Sequence, residues 1–168
     1  MPFVEYPGAS ARLIIVCGLP GSGKTTLAKR LEGSLSAVRL APDDWMDALS
    51  INLYDEESRA KVEALQWNFG RELLKRGLVV IIEWGTWSRS ERDTLRLGAR
   101  ALGAAVELRY VSAPPDELFA RIQRRGQENP PITHDDFSQW LEIFQAPTNE
   151  EMALFDAPLV TDHESGST

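Results

Sequence analysis

The chain has 168 residues, 43% hydrophobic and 26% charged, which suits one globular α/β domain with a full core. Its net charge of −7 opposes non-specific binding to nucleic acid, and no apolar run approaches the roughly 20 residues of a membrane helix. A lone cysteine excludes an internal disulfide, and two histidines in no ligand-like spacing, His134 and His163, exclude a structural zinc site.

Residues 1–6 have neither the basic start nor the apolar core of a secretory signal, so a cytoplasmic protein is expected. Residues 11–17 form an apolar run with a β-branched centre, suited to a buried parallel strand. Cys17 closes it as a small core residue, with no basic partner near it in sequence to make it a nucleophile. Gly18-Leu19-Pro20-Gly21-Ser22-Gly23-Lys24-Thr25 follows, of the form G-x-x-x-x-G-K-T. Glycines at these positions let successive backbone N–H groups close around a polyphosphate. Lys24 then reaches the β- and γ-phosphates and the Thr25 hydroxyl binds Mg²⁺. The expected phosphate contacts are Gly18, Gly21, Ser22, Gly23, Lys24, Thr25 and Thr26. A helix over residues 23–32, with Leu27 and Leu31 one turn apart and Gly33 as its C-cap, completes the strand–loop–helix context.

Residues 37–41 read as a second strand, ended by Pro42. A helix starts at Asp43 or Asp44, one of them its N-cap, and includes Trp45, Met46 and Leu49. The acidic residues 55–57 open a long helix to about Arg76, with Val62, Leu65, Phe69 and Leu73 as its buried face and Gly77 as its end. Residues 78–82 form the strongest strand, followed directly by Glu83. Ser88 and Glu91 have the spacing of a capping box, and the helix behind them carries Leu95, Ala99 and Leu102 before Gly103. Residues 106–111 are a fourth strand. Pro114 and Pro115 open a helix with Leu118, Phe119 and Ile122 apolar and Arg121, Arg124 and Arg125 polar, ending at Gly126. After a loop at 126–131, Thr133 caps a helix that turns Phe137, Trp140, Leu141 and Phe144 inward. Thr148 and Glu151 cap a short last helix, residues 158–161 read as a fifth strand, and 162–168 as a frayed tail.

This βα alternation predicts a single domain over 1–168: a five-stranded parallel sheet with helices on both faces. Ligands then bind beyond the carboxyl ends of the strands. That rule gathers the loop at 18–25, Asp43 and Asp44, residues 83–87 and the helix after the fourth strand at one rim. Asp43 and Asp44 lie about twenty residues after the loop lysine, where a kinase needs a carboxylate to accept the proton of an acceptor hydroxyl. Asp43, nearest the strand end, is the preferred base. Glu83 either holds Mg²⁺ through water with Thr25 or is a buried carboxylate paired with Lys24 or an arginine. Arg121 and Arg125 share a helix face at i, i+4 and suit a lid, about residues 121–134, closing over a transferring phosphoryl group; the alternative is a solvated helix end. Trp84, Thr86 and Trp87 wall an acceptor pocket or pack in the core, and Trp45 is equally open. Arg89 and Arg92 bind an acidic substrate or a phosphate, or decorate a surface helix start. Trp67 and Trp140, inside helices, are read as core.

The segments GLPGSGKTTLA at 18–28, APDDW at 41–45, VVIIEWGTW at 79–87 and LFARIQRRG at 118–126 resemble the small P-loop kinases of the zeta-toxin, chloramphenicol phosphotransferase and polynucleotide kinase group. The resemblance implies the P-loop nucleoside triphosphate hydrolase fold with strand order 2-3-1-4-5. It also implies Asp43 as base, Arg121 and Arg125 as lid arginines, and ATP with Mg²⁺. The absence of an N-K-x-D guanine-recognition element points the same way for the base of the nucleotide. Related kinases often carry Asp where Glu83 or Gly85 stands. The expected activity is transfer of the γ-phosphoryl group to a hydroxyl of a small molecule. A polynucleotide 5′-hydroxyl acceptor and a nucleotide-dependent switch without an acceptor are the alternatives. No membrane partner is expected, and the oligomeric state is left open.

Overall fold

A computed structural model describes residues 10–126 and 130–160. The strands are β1 (Arg12–Cys17), β2 (Val38–Leu40), β3 (Val79–Ile82) and β4 (Ala105–Tyr110). The helices are α1 (Lys24–Leu35), α2 (Pro42–Ala48), α3 (Glu56–Lys75), α4 (Arg89–Ala101), α5 (Pro115–Arg125), α6 (His134–Ile143) and α7 (Asn149–Met152). The strands form one parallel sheet in the order β2-β3-β1-β4. None of the described helices is long and apolar enough to cross a membrane.

Strand alternation divides the core between the two faces. Leu13, Ile15 and Cys17 of β1 join Val80, Ile82, Val106 and Leu108 beneath Leu74 of α3 and Leu95 and Ala99 of α4. Ile14 and Val16 turn the other way, with Val79 and Ile81, against Ala28 and Leu31 of α1. A third cluster joins Leu19 of the loop to Leu118 and Ile122 of α5 and Phe137 of α6. Helices therefore cover both faces, as the alternation predicts.

The sheet has four strands among the described residues, not five. Residues 157–160 lie beside β4 but are held by side chains rather than by a ladder. Asp156 donates its N–H to Val106 O (2.8 Å) and accepts from Val106 N with its carboxylate (2.7 Å). Buried Glu107 accepts from Leu159 N at 2.9 Å, and Arg109 donates to Val160 O at 2.7 Å. Pro158 has no N–H to give a strand. Thr161, the tail at 162–168 and the centre of the expected lid, 127–129, lie outside the described residues.

Several boundaries also differ from expectation. Gly33 does not cap α1. The helix runs on to Leu35, which packs on the Ile14–Val16 cluster, and Ser36 is the cap in the left-handed region (φ 48). α2 starts at Pro42, where a missing N–H is harmless, so its N-cap is Ala41 and neither aspartate caps it. The buried line of α3 is Val62, Gln66, Gly70 and Leu74, while Leu65 and Phe69 are 59% and 45% exposed. Gly70 sets that line, because a Cβ there would lie 3.1 Å from Leu40 Cδ1, and its absence lets α3 approach the sheet. In α6, Leu141 faces outward whereas Phe137 is buried.

Candidate active site

The parallel register fixes the rim. Ile15 pairs with Ile82, so the loop after β1 meets Glu83, the residue after β3. The Thr25 hydroxyl donates to one Glu83 oxygen, and Arg39 Nη1 donates to the other at 2.6 Å. Glu83 is thus a buried carboxylate paired with Arg39 of β2, not with Lys24. Arg39 also engages Asp44 and, at 3.3 Å, Glu32. Asp44 therefore belongs to this strut and does not line the cleft; Asp43, its neighbour, does.

The loop is built for close approach. A Cβ on Gly18 would lie 2.3 Å from Val111 O, and one on Gly21 2.9 Å from Leu118 O, where α5 presses against the loop. Gly21 and Gly23 have φ of 80 and 97, conformations that side chains resist. Ser22 is 5% exposed, and its hydroxyl has no partner among the described residues. Lys24 donates to Gly18 O at 2.6 Å. Burial lowers its pKa to about 8, and the nearby Arg125 charge acts in the same direction, while Glu83 and Asp43 oppose the change.

Arg121 and Arg125 line the same cleft. Arg121 donates to Gly21 O at 3.1 Å and pairs with Glu117. Asp43 projects from α2 with its side chain 64% exposed, and Arg59 of α3 grips one of its oxygens at 2.6 Å. The cleft measures about 1190 Å³ and also runs past Trp67, Trp84, Thr86, Trp87 and Trp140. Trp67 and Trp140, read as core from the sequence, thus border it. Trp84 donates from Nε1 to Gln66 at 3.0 Å. Trp87 folds over Gly85, where a Cβ would sit 2.9 Å from the indole. Trp45 packs instead beside Phe69 and the core, away from the cleft.

Arg89 and Arg92 do not face the cleft. Arg89 pairs with Asp93 at 3.5 Å on the outside of α4. Arg92 is wholly buried and bound in full: Nε and Nη2 clamp Glu151 of α7 at 2.6 and 2.9 Å, Nη1 donates to Thr86 O at 2.8 Å, and Nη2 to Gln145 O at 2.8 Å. It is neither a surface residue nor a substrate ligand. Its grip on Thr86 matters because Thr86 has φ 43, a strained value for a β-branched residue. Cys17 lies under the same segment, and burial pushes its thiol up, as befits a core residue.

Arg39, Arg59, Gln66 and Glu151 are site supports that patterning alone did not yield. Each carried a faint signal: a charge inside a strand, a cation near a helix N-terminus, an amide in an apolar stripe, and a second role for a presumed cap residue.

The sequence profile of the AAA domain family, AAA_33, matches residues 13–147. The chain belongs to this family. A UPF0200 protein of Thermococcus kodakarensis is 30% identical over 152 residues, covering 78% of each chain. Among solved structures, one chain of the Pnkp1/Rnl/Hen1 RNA repair complex superposes with a TM-score of 0.67 at 20% identity, over 90% of this chain and 48% of that one. A gluconokinase from Sinorhizobium meliloti 1021 gives 0.59 at 19%, over 84% and 79%. Kti12 from Chaetomium thermophilum, solved with ADP-AlF3, gives 0.57 at 19%, over 81% of each. At these identities the likeness is one of fold.

Proposed function

We propose that the protein is an ATP-dependent kinase that transfers the γ-phosphoryl group to a hydroxyl of a small molecule. One observation carries the reading. The cleft that holds the phosphate loop also holds Asp43, an accessible carboxylate on a separate helix, close enough to bear on the charge of Lys24. A cleft of about 1190 Å³ exceeds the ~300–1,000 Å³ of a single-ligand pocket, which suits a donor and an acceptor together and argues against a switch that binds nucleotide alone.

The residues divide the work. Backbone N–H groups over 21–26 and the unpartnered Ser22 hydroxyl bind phosphate oxygens, and Lys24 neutralises them. The Thr25 hydroxyl and the Glu83 carboxylate are hard oxygen donors side by side, the set a magnesium ion takes directly and through water. When bound, Mg²⁺ neutralises charge on the β- and γ-phosphates. Asp43, oriented by Arg59, takes the proton of the acceptor hydroxyl as its oxygen bonds to the γ-phosphorus. The bond from that phosphorus to the β–γ bridging oxygen breaks and ADP leaves. Arg121 and Arg125 offset the charge on the transferring group.

A screen of ATP consumption against metabolites and antibiotics tests this. Asp43→Asn is expected to lower acceptor-dependent turnover by about 10²–10⁴ while leaving ATP binding intact. Full turnover in that variant would remove Asp43 as the base. A polynucleotide acceptor draws support from the fold of the RNA repair chain alone.

The lowered Lys24 pKa gives a second expectation. Below about pH 8 the ammonium is charged before ligand arrives, and affinity for ADP is flat. A bound polyphosphate holds the pKa higher. Above about pH 8 the free chain must take up a proton in order to bind, so affinity falls, approaching tenfold per pH unit. Calorimetric titrations with ADP at about pH 7.5 and about pH 9.5 check this. Equal affinities would mean that Lys24 does not change charge on binding.

A further inference from the structure

Away from the phosphate loop the cleft is walled by indoles and carboxylates. Trp67, Trp84 and Trp87 line it from α3 and the segment after β3. Glu56, Glu63 and Glu91 also line the cleft, one oxygen of Glu91 accepting from Ser88 N and Oγ at 2.9 and 3.0 Å in the capping box of α4. Among the described lining residues the cation on this side is Arg59, and its guanidinium is taken by Asp43 at 2.6 Å and by Leu53 O at 3.0 Å. Lys24, Arg121 and Arg125 belong to the phosphate loop and to the helix that presses on it.

Two further observations mark this half as built for a ligand. Thr86 lines the cleft, is 5% exposed, and its hydroxyl has no partner among the described residues. Burial, together with the charges of Glu91 and Asp43, holds the Glu63 carboxyl above its ordinary range, with Arg59 in partial opposition. Burial is the largest cause, so an ionised Glu63 is penalised there unless a cation sits beside it.

We infer that the acceptor is an organic cation: an alcohol bearing a ring and a protonated amine, its ring among Trp67, Trp84 and Trp87, its ammonium beside Glu63 and Glu91, and a polar edge at Thr86. Aromatic faces and carboxylates attract the same partner, since the negative face of an indole and a carboxylate both favour an ammonium. An acceptor that already carries phosphate, including a nucleic-acid 5′ end, would set its charge against three carboxylates. The inference rests on the kinase reading of the same cleft.

Three probes that share a ring and a hydroxyl separate the possibilities: 4-(aminomethyl)benzyl alcohol, 4-methylbenzyl alcohol and 4-(hydroxymethyl)benzoate. Binding to the full chain with ADP present is followed by quenching of tryptophan fluorescence. The cation is expected to bind about tenfold more tightly than the neutral alcohol, and the anion more weakly than either. That advantage should shrink in Glu63→Gln and, in the unaltered chain, at high salt. Equal or tighter binding of the neutral or anionic alcohol would overturn the inference. So would a cation advantage insensitive to both charge removal and salt, or quenching by none of the three. The kinase reading is tested separately by ADP release from ATP. Tight cation binding with no ADP release by any compound of the acceptor screen keeps the cation site and removes the kinase reading. Release that depends on the neutral or anionic alcohol keeps the kinase and removes the cation.

Discussion

Arg92→Ala is expected to lower the melting temperature by about 6–20 °C. The pair with Glu151 is wholly buried, and removing one partner of such a pair costs about 3–5 kcal/mol because the other charge stays behind uncompensated. In a chain of this size each kcal/mol corresponds to roughly 2–4 °C. The alanine also abandons the carbonyls of Thr86 and Gln145, to which Arg92 donates at 2.8 Å each. Glu151→Ala should fall by a similar amount. The double change Arg92→Met with Glu151→Leu should recover most of the loss, because it removes both charges and refills the space. Thermal melts followed by circular dichroism check all three. A loss of under about 2 °C in Arg92→Ala would show that the pair does not anchor the segment.

Lys24→Ala is expected to cut acceptor-dependent turnover by about 10²–10³, with weaker binding of ATP. The lysine brings a charge to a buried position where water screens poorly, so its interaction with phosphate is far stronger than on an open surface. The variant should remain folded, since the hydrogen bond from Lys24 to Gly18 O is a single contact in a loop otherwise built from backbone. Turnover and ATP affinity equal to those of the unaltered chain would remove this loop as the donor site.

The strand–loop–helix at one end of the cleft was legible because it is local. A contiguous loop with glycines at fixed offsets, a strand before it and a helix after it can be read without knowing any distant contact. Asp43 was legible for a related reason: it follows directly from a strand end. What lay beyond reach was pairing across long separations. Arg92 reads as an ordinary polar residue in the first turn of α4, and only Glu151, fifty-nine positions on, turns it into a buried strut. Asp43 and Asp44 look alike in sequence, and Arg39 separates them by drawing one toward Glu83. The face of α3 was misjudged by one position because a period of 3.6 counted on apolar side chains ignores glycine, and Gly70 is where that helix comes nearest the sheet. The missing strand has the same origin: residues 158–161 have strand-like side chains, but Asp156 takes both backbone groups of Val106 before a ladder can form.

That arrangement at Val106 also governs what can happen to the sheet from outside. An exposed edge strand is an open template on which another chain can add a rung. On the β4 side, a carboxylate and an N–H from one residue, Asp156, already occupy the donor and acceptor that a newcomer would use, and Glu107 and Arg109 hold the following residues over the remainder. The opposite edge, β2, is only three residues long. Among the described residues the sheet is thus ended by a plug on one side and by brevity on the other, two devices that discourage growth into a fibril.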